Sequence, residues 1–253
     1  MEVLRRDYLP EHLEASLYEA GFDGSVVVQA RQTEKETAWL LELAGSHPFI
    51  RGVVGWVPLV DPRVEAPLER YASDERLVGV RHLLQDETDD AYMLRDDFNR
   101  GVSTLRRFGL VYDVLVHPRH LENVLRFVDR HPDQPFVVDH VAKPIITARA
   151  FDEDWARGMR ALAERPQVTC KLSGMVTEVR DATWSSALLG PYVDVVLEAF
   201  GPRRIMVGTD WPVCLLRCSY VDWVRAAESL LARLSSAEGA AVWGGTARRV
   251  YGL

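Results

Sequence analysis

The sequence predicts an α/β fold, a (β/α)8 barrel of parallel strands that lacks its first strand. Three observations predict it. Short Val-rich runs alternate with amphipathic stretches at roughly 30-residue spacing, the rhythm of right-handed βαβ units. Several runs are apolar at consecutive positions, as strands buried on both faces of a parallel sheet require. The run at 25–30 is followed by Arg31-Gln32-Thr33, without a glycine. An open doubly wound sheet would carry a glycine-rich phosphate loop there, so the barrel is favoured. The 253 residues match the length of one such barrel, so a single domain over 1–253 is expected.

Each element has its own signal. A first helix starts at Asp7 or Pro10 and ends near Ala20, with Gly21 after it. Thr33 before Glu34-Lys35-Glu36 has the arrangement of a capping box and opens the next helix. Leu121, Val124, Leu125 and Val128 form one helical stripe, and Val193, Val196, Leu197 and Phe200 repeat it. Gly201-Pro202 then stops that helix. Strands are expected at 25–30, 53–57, 77–82, 110–116, 135–140, 168–173 and 204–209. That is one strand fewer than a barrel needs. The chain opens on a helix, so the absent strand is expected upstream of Met1.

Charge and composition exclude several functions. The net charge is −7 with signs interspersed, and no basic stripe offers a nucleic-acid surface. No apolar run approaches the ~20 residues of a membrane span. The N-terminus shows no secretion signal, which predicts a cytoplasmic protein acting on a small molecule, free or as a homo-oligomer. Three cysteines cannot build a disulfide framework. Cys214 and Cys218 lie four apart like a metal pair, but no second Cys/His pair matches, so packing roles are expected.

In a barrel the chemistry sits at the C-terminal strand ends. Those positions hold Gln29, Trp56, Arg81 with His82, Asp113, His117, Asp139 with His140, Lys171 with Ser173, and Asp210. Asp210 is the leading catalytic candidate. It follows Gly208-Thr209 directly and precedes Trp211-Pro212. A carboxylate there serves as a general base on water or as a metal ligand. His140 is the second candidate, able to hold a carbonyl, relay a proton or ligate metal. Strand alternation sends Asp139 to the opposite face, a structural role, and sends only one of Arg81 and His82 inward. An inward Arg81 would suit a substrate carboxylate. Lys143, Lys171, Trp56 and Trp211 complete the candidate substrate-binding set. His117 and His120 read as turn and cap residues, and His12, His47 and His131 as surface residues.

At these residues a family resemblance emerges. Gly208-Thr209-Asp210-Trp211-Pro212-Val213 resembles the last-strand signature of amidohydrolase-related proteins, the amidohydrolase 2 group. The blocks Val138-Asp139-His140-Val141-Ala142-Lys143-Pro144, Cys170-Lys171-Leu172-Ser173-Gly174 and Gly79-Val80-Arg81-His82 are similar to further blocks of that group, as are 26–30 and 52–56. The likeness runs from about Asp7 to Tyr251, and its nearest branch resembles the sugar-lactone hydrolases, with the pyrone-dicarboxylate lactonases related. It implies an amidohydrolase-type barrel and hydrolysis of a lactone ester. Asp210 would be the base, His140 would orient substrate or water, and Arg81, His82 and Lys171 would bind carbonyl or hydroxyls. Two of the group's motifs are not found in this chain: the His-x-His that ends its first strand, and the fifth-strand histidine of its metal-dependent members. No required cofactor is therefore expected; a single divalent metal such as zinc would have Asp210 and His140 as its ligands. Two alternatives stay open: a metal-dependent decarboxylase on the same fold, which would need a metal site, and a truncated binding protein, which the absent His-x-His supports; that absence also predicts an upstream in-frame extension.

Overall fold

The computed structural model describes residues 2–253, and Met1 lies outside them. The Val-rich runs form seven parallel strands: β1 Ser25–Val28, β2 Ile50–Gly55, β3 Leu77–His82, β4 Val111–Val114, β5 Phe136–Val138, β6 Val168–Leu172 and β7 Ile205–Val207. They pair strictly in sequence order, as right-handed βαβ connections dictate. Most are shorter than the apolar runs that announce them. At several C-terminal ends the ladder stops at the last valine or leucine, and the polar residues that close the run, Gln29, Asp139, His140 and Ser173, lie past the strand.

The helices are α1 Pro10–Glu19, α2 Glu34–Ser46, α3 Glu65–Ala72, α4 Asp96–Leu105, α5 Leu121–Asp129, α6 Glu153–Ala163, α7 Met175–Glu178, α8 Ser186–Phe200, α9 Tyr220–Leu231, α10 Ser236–Ala240 and α11 Thr246–Tyr251. Gly201 takes a positive φ of 69° beyond α8, which is the stop that Gly201-Pro202 predicts. The capping box at Thr33 is half formed. Its hydroxyl accepts from Glu36 N at 3.3 Å, but the Glu36 carboxylate turns away to accept from Ala30 N and Arg31 N. Glu36 thereby ties the end of β1 to α2. None of the helices among the described residues is long and apolar enough to cross a membrane.

Alternation along the strands makes two cores. Val27, Val53, Val80, Tyr112, Val114, Phe136, Val138, Cys170 and Ile205 face the surrounding helices. Val54, Val78, Val111, Val137 and Met206 form a separate inner cluster with Val26 and Val28, and Tyr251 of α11 inserts into it. Among the described residues no ladder joins β7 to β1, and Ser25–Val28 is only half-buried. α11 bridges the starts of these two strands. Arg248 pairs with Asp23 just before β1 at 2.8 Å, and Thr246 donates to Arg203 O just before β7 at 3.2 Å. His131 corrects the surface expectation: it is buried, with Nε2 2.8 Å from Asn99 Oδ1.

Candidate active site

β5 stops at Val138, and the chain then enters an uncommon conformation. His140, Val141, Ala142 and Lys143 all have positive φ, between 48° and 56°. Left-handed backbone costs about 1–2 kcal/mol per L-residue, and a β-branched valine there is a marked outlier. The turn persists because its surroundings hold it. Val141 and Ala142 are fully buried, Trp155 Nε1 donates to Val141 O at 2.6 Å, and Lys143 N donates to His140 O at 2.8 Å. Asp210, just past β7, has φ 55° as well. Backbone strain of this kind concentrates where function needs a side chain in one place.

The two strained segments bring the leading candidates together. His140 Nε2 is 3.6 Å from Asp210 Oδ1, with 12% and 18% of the side chains exposed. His140 Nδ1 shares a 2.8 Å hydrogen bond with Ser173 Oγ at the end of β6. Burial lowers the His140 pKa, against the opposing charges of Asp210 and Asp139, which favours the neutral ring. Gly174 lies flat against that ring: a Cβ on it would come within 2.8–2.9 Å of His140 Cγ, Cβ and Nδ1. Sequence reasoning placed Ser173 at a strand end without a role and passed over Gly174.

A layer of charge lies inside the sheet. Arg81 Nη1 donates to Asp139 Oδ2 at 2.8 Å, and its Nη2 to Gln29 O. Lys171 Nζ is 2.5 Å from Asp113 Oδ2 and 2.7 Å from Asp139 Oδ1, the second an ionic contact without hydrogen-bond alignment. Tyr251 OH donates to Asp113 at 2.9 Å. Burial pushes the Asp113 carboxyl up to about 6, against the pull of Lys171. Burial also opposes ionisation of Asp139, but Lys171, Arg81 and His140 outweigh it and hold that carboxyl well below its usual range. Arg81 and Lys171 are thus committed to carboxylates, with 10% and 11% of their side chains exposed.

The remaining candidates stand elsewhere around the strand ends. Of the pair ending β3, Arg81 turns inward and His82 to the helix side. His82 Nε2 lies 2.7 Å from Glu87 Oε1, Trp56 Nε1 donates to its Nδ1 at 3.4 Å, and Tyr92 stacks on it at 5.1 Å. Trp56 thereby serves His82. Trp211 meets the edge of Tyr8 at 5.2 Å. Lys143 ends the left-handed turn, half-buried. Burial, then Lys143 and Arg119, push His117 down to about 4. His120 Nδ1 accepts from His117 N at 3.0 Å, the cap role expected of the pair. Glu178, on α7 and absent from the strand-end candidates, is 8% exposed; burial raises its pKa against Lys143 and Arg180, and Asp210 adds to the rise.

A tetrahedral zinc site takes three or four protein donors. Among the described residues no group of three or more His, Cys, Asp or Glu converges in that way. His140 and Asp210 supply two of the donors such a site needs.

The chain matches the family described as Amidohydrolase over residues 2–253. It is 43% identical over 268 residues to L-fucono-1,5-lactonase of Burkholderia multivorans, a match covering 100% of this chain and 88% of that protein. It is 35% identical over 255 residues to L-fucono-1,5-lactonase of Burkholderia ambifaria, covering 99% and 87%. An amidohydrolase of Burkholderia multivorans, crystallised with bound zinc, superposes with a TM-score of 0.95 at 43% identity over 100% of this chain and 91% of that one. Both the sequence family and the fold agree with the strand-end blocks: this chain belongs to the amidohydrolase family.

Proposed function

We propose that the chain hydrolyses the ester of a small sugar-acid lactone, with Asp210 as the general base. The observation that carries this reading is the pairing of His140 and Asp210, 3.6 Å apart across the ends of β5 and β7. The names of the relatives at 43% and 35% identity support the substrate class.

In the proposed reaction a water oxygen adds to the lactone carbonyl carbon while Asp210 takes one of its protons. The carbonyl π pair moves onto oxygen. Collapse of the tetrahedral intermediate breaks the bond to the ring oxygen, which takes up the proton and leaves as a hydroxyl. The product is an open-chain hydroxy acid that ionises and releases one proton overall. With the Ser173 hydroxyl donating to Nδ1, the neutral His140 ring carries its hydrogen on Nε2, beside Asp210, where it orients the substrate carbonyl or the water. The left-handed turn and Gly174 keep that ring from rotating away.

The proton release is itself the assay: a pH-indicator dye with a panel of aldonolactones. Turnover of sugar-acid lactones, abolished by Asp210→Asn, is the expected result; turnover that survives Asp210→Asn at full rate would refute the mechanism. Free Cys170, Cys214 and Cys218 are compatible with a reducing, cytoplasmic setting.

A further inference from the structure

We propose that Tyr251, in the last turn of the chain, is a positioning residue for His140, acting through the charged layer inside the sheet. The path is continuous. Tyr251 packs its ring among Val54, Val78, Val111, Val137 and Met206, and its hydroxyl reaches both oxygens of Asp113, at 2.9 and 3.0 Å. Asp113 holds Lys171 at 2.5 Å, and Lys171 holds Asp139 at 2.7 Å. Asp139 is also gripped by Arg81 and is the residue immediately before His140, at the head of the left-handed turn.

The chemistry of the layer makes the Tyr251 hydroxyl matter. Two cations face two carboxylates, so the group is balanced only while Asp113 is ionised. The groups facing Asp113 are Lys171 from β6, Asp139 from the turn after β5, Arg81 from β3 and Tyr251 from α11. Asp113 Oδ1 receives its hydrogen bond from Tyr251. Without that donor, burial pushes Asp113 towards its neutral form, because a buried carboxylate that loses a donor is disfavoured. Lys171 then loses one of its two anions and Asp139 is pulled into a new balance. The backbone at Asp139 opens a strained turn, which carries any such shift straight to the His140 ring.

The experiment compares Tyr251→Phe, which keeps the ring and loses the donor, with Arg248→Ala, which breaks only the surface pair to Asp23 on the same helix. Lactone hydrolysis is followed across about pH 5 to 9, where an acidic limb is set by groups that must ionise. Tyr251→Phe should lower kcat roughly tenfold, the scale of a loosened catalytic geometry, and leave KM within a factor of about two. Its acid limb should move to higher pH, while Arg248→Ala keeps the native profile. Asp113→Asn, nearly isosteric, should lower kcat and flatten the same limb. A native kcat and limb in Tyr251→Phe, or an identical change in Arg248→Ala, would overturn the proposal. The activity readout rests on the lactonase reading. If the native chain opens no lactone, that reading fails by itself, and the proposal is judged on the His140 imidazole 15N shifts. These should move in Tyr251→Phe and stay in Arg248→Ala; unchanged shifts in Tyr251→Phe would overturn it.

Discussion

Replacing Gly174 with alanine puts a methyl group where the His140 ring already stands. The new Cβ would lie 2.8 Å from His140 Cγ, whereas carbon atoms settle at about 3.5 Å or more, so the ring must retreat by roughly 0.7 Å. It has little room, since only 12% of the side chain is exposed. Retreat would also stretch the 2.8 Å hydrogen bond to Ser173. Alanine must in addition adopt φ 66°, at about 1–2 kcal/mol, on top of about 1–3 kcal/mol for overpacking. Together these lower the melting temperature by on the order of 10 °C in a chain of this length. Displacement of a reacting group by nearly an ångström lowers kcat by about 100-fold. Thermal melts by circular dichroism and steady-state kinetics on the best lactone check both numbers. A folded Gly174→Ala protein with native kcat would refute the claim that this glycine sets the His140 ring.

Three further outcomes are expected. Ser173→Ala should lower kcat by about tenfold with KM nearly unchanged, because it frees the ring without touching the carboxylate; the kcat/KM split reads this. Lys171→Met should strand Asp113 and Asp139 inside the sheet and destabilise the fold by about 3–5 kcal/mol, measured by denaturant unfolding. Finally, His82, His120, His131 and His140 are each shifted below the ordinary histidine value, chiefly by burial, and His117 is pushed down to about 4 by burial, Lys143 and Arg119. In that range the unfolded chain binds more protons, so these groups stabilise the fold above the ordinary histidine pKa and lose that contribution as pH falls towards about 4. Asp113, raised to about 6, acts in the opposite sense as pH rises towards that value. The difference between native and His117→Gln melts isolates the histidine part: the variant should lose less stability on acidification.

Much of the fold could be read from apolar runs because parallel strands buried on both faces leave a dense signature. All seven strands lie where Val-rich segments sit, and β3 matches its run end to end. The exact strand ends could not be read, because the polar residues that close the runs, such as Gln29, Asp139 and Ser173, already lie past the ladder. Asp210 and His140 stood out as ionisable groups ending buried runs, and they do meet. What remained hidden depends on contacts between distant elements. Nothing about His140, Val141, Ala142 and Lys143 as residue types announces four positive φ angles. Arg81 and Lys171 looked available for substrate because their partners Asp139 and Asp113 sit on other strands. Glu178 escaped notice because it lies on a short helix, and Tyr251 because 138 residues separate it from Asp113.

The most direct measurement is the rate of lactone opening by Asp210→Asn beside the native protein at neutral pH. Asparagine keeps the shape of the side chain and removes the base. The general-base account expects kcat to fall by about 100-fold or more, the contribution of a positioned base, with KM within a few-fold. A variant that opens the lactone at the native rate would contradict the role given to Asp210.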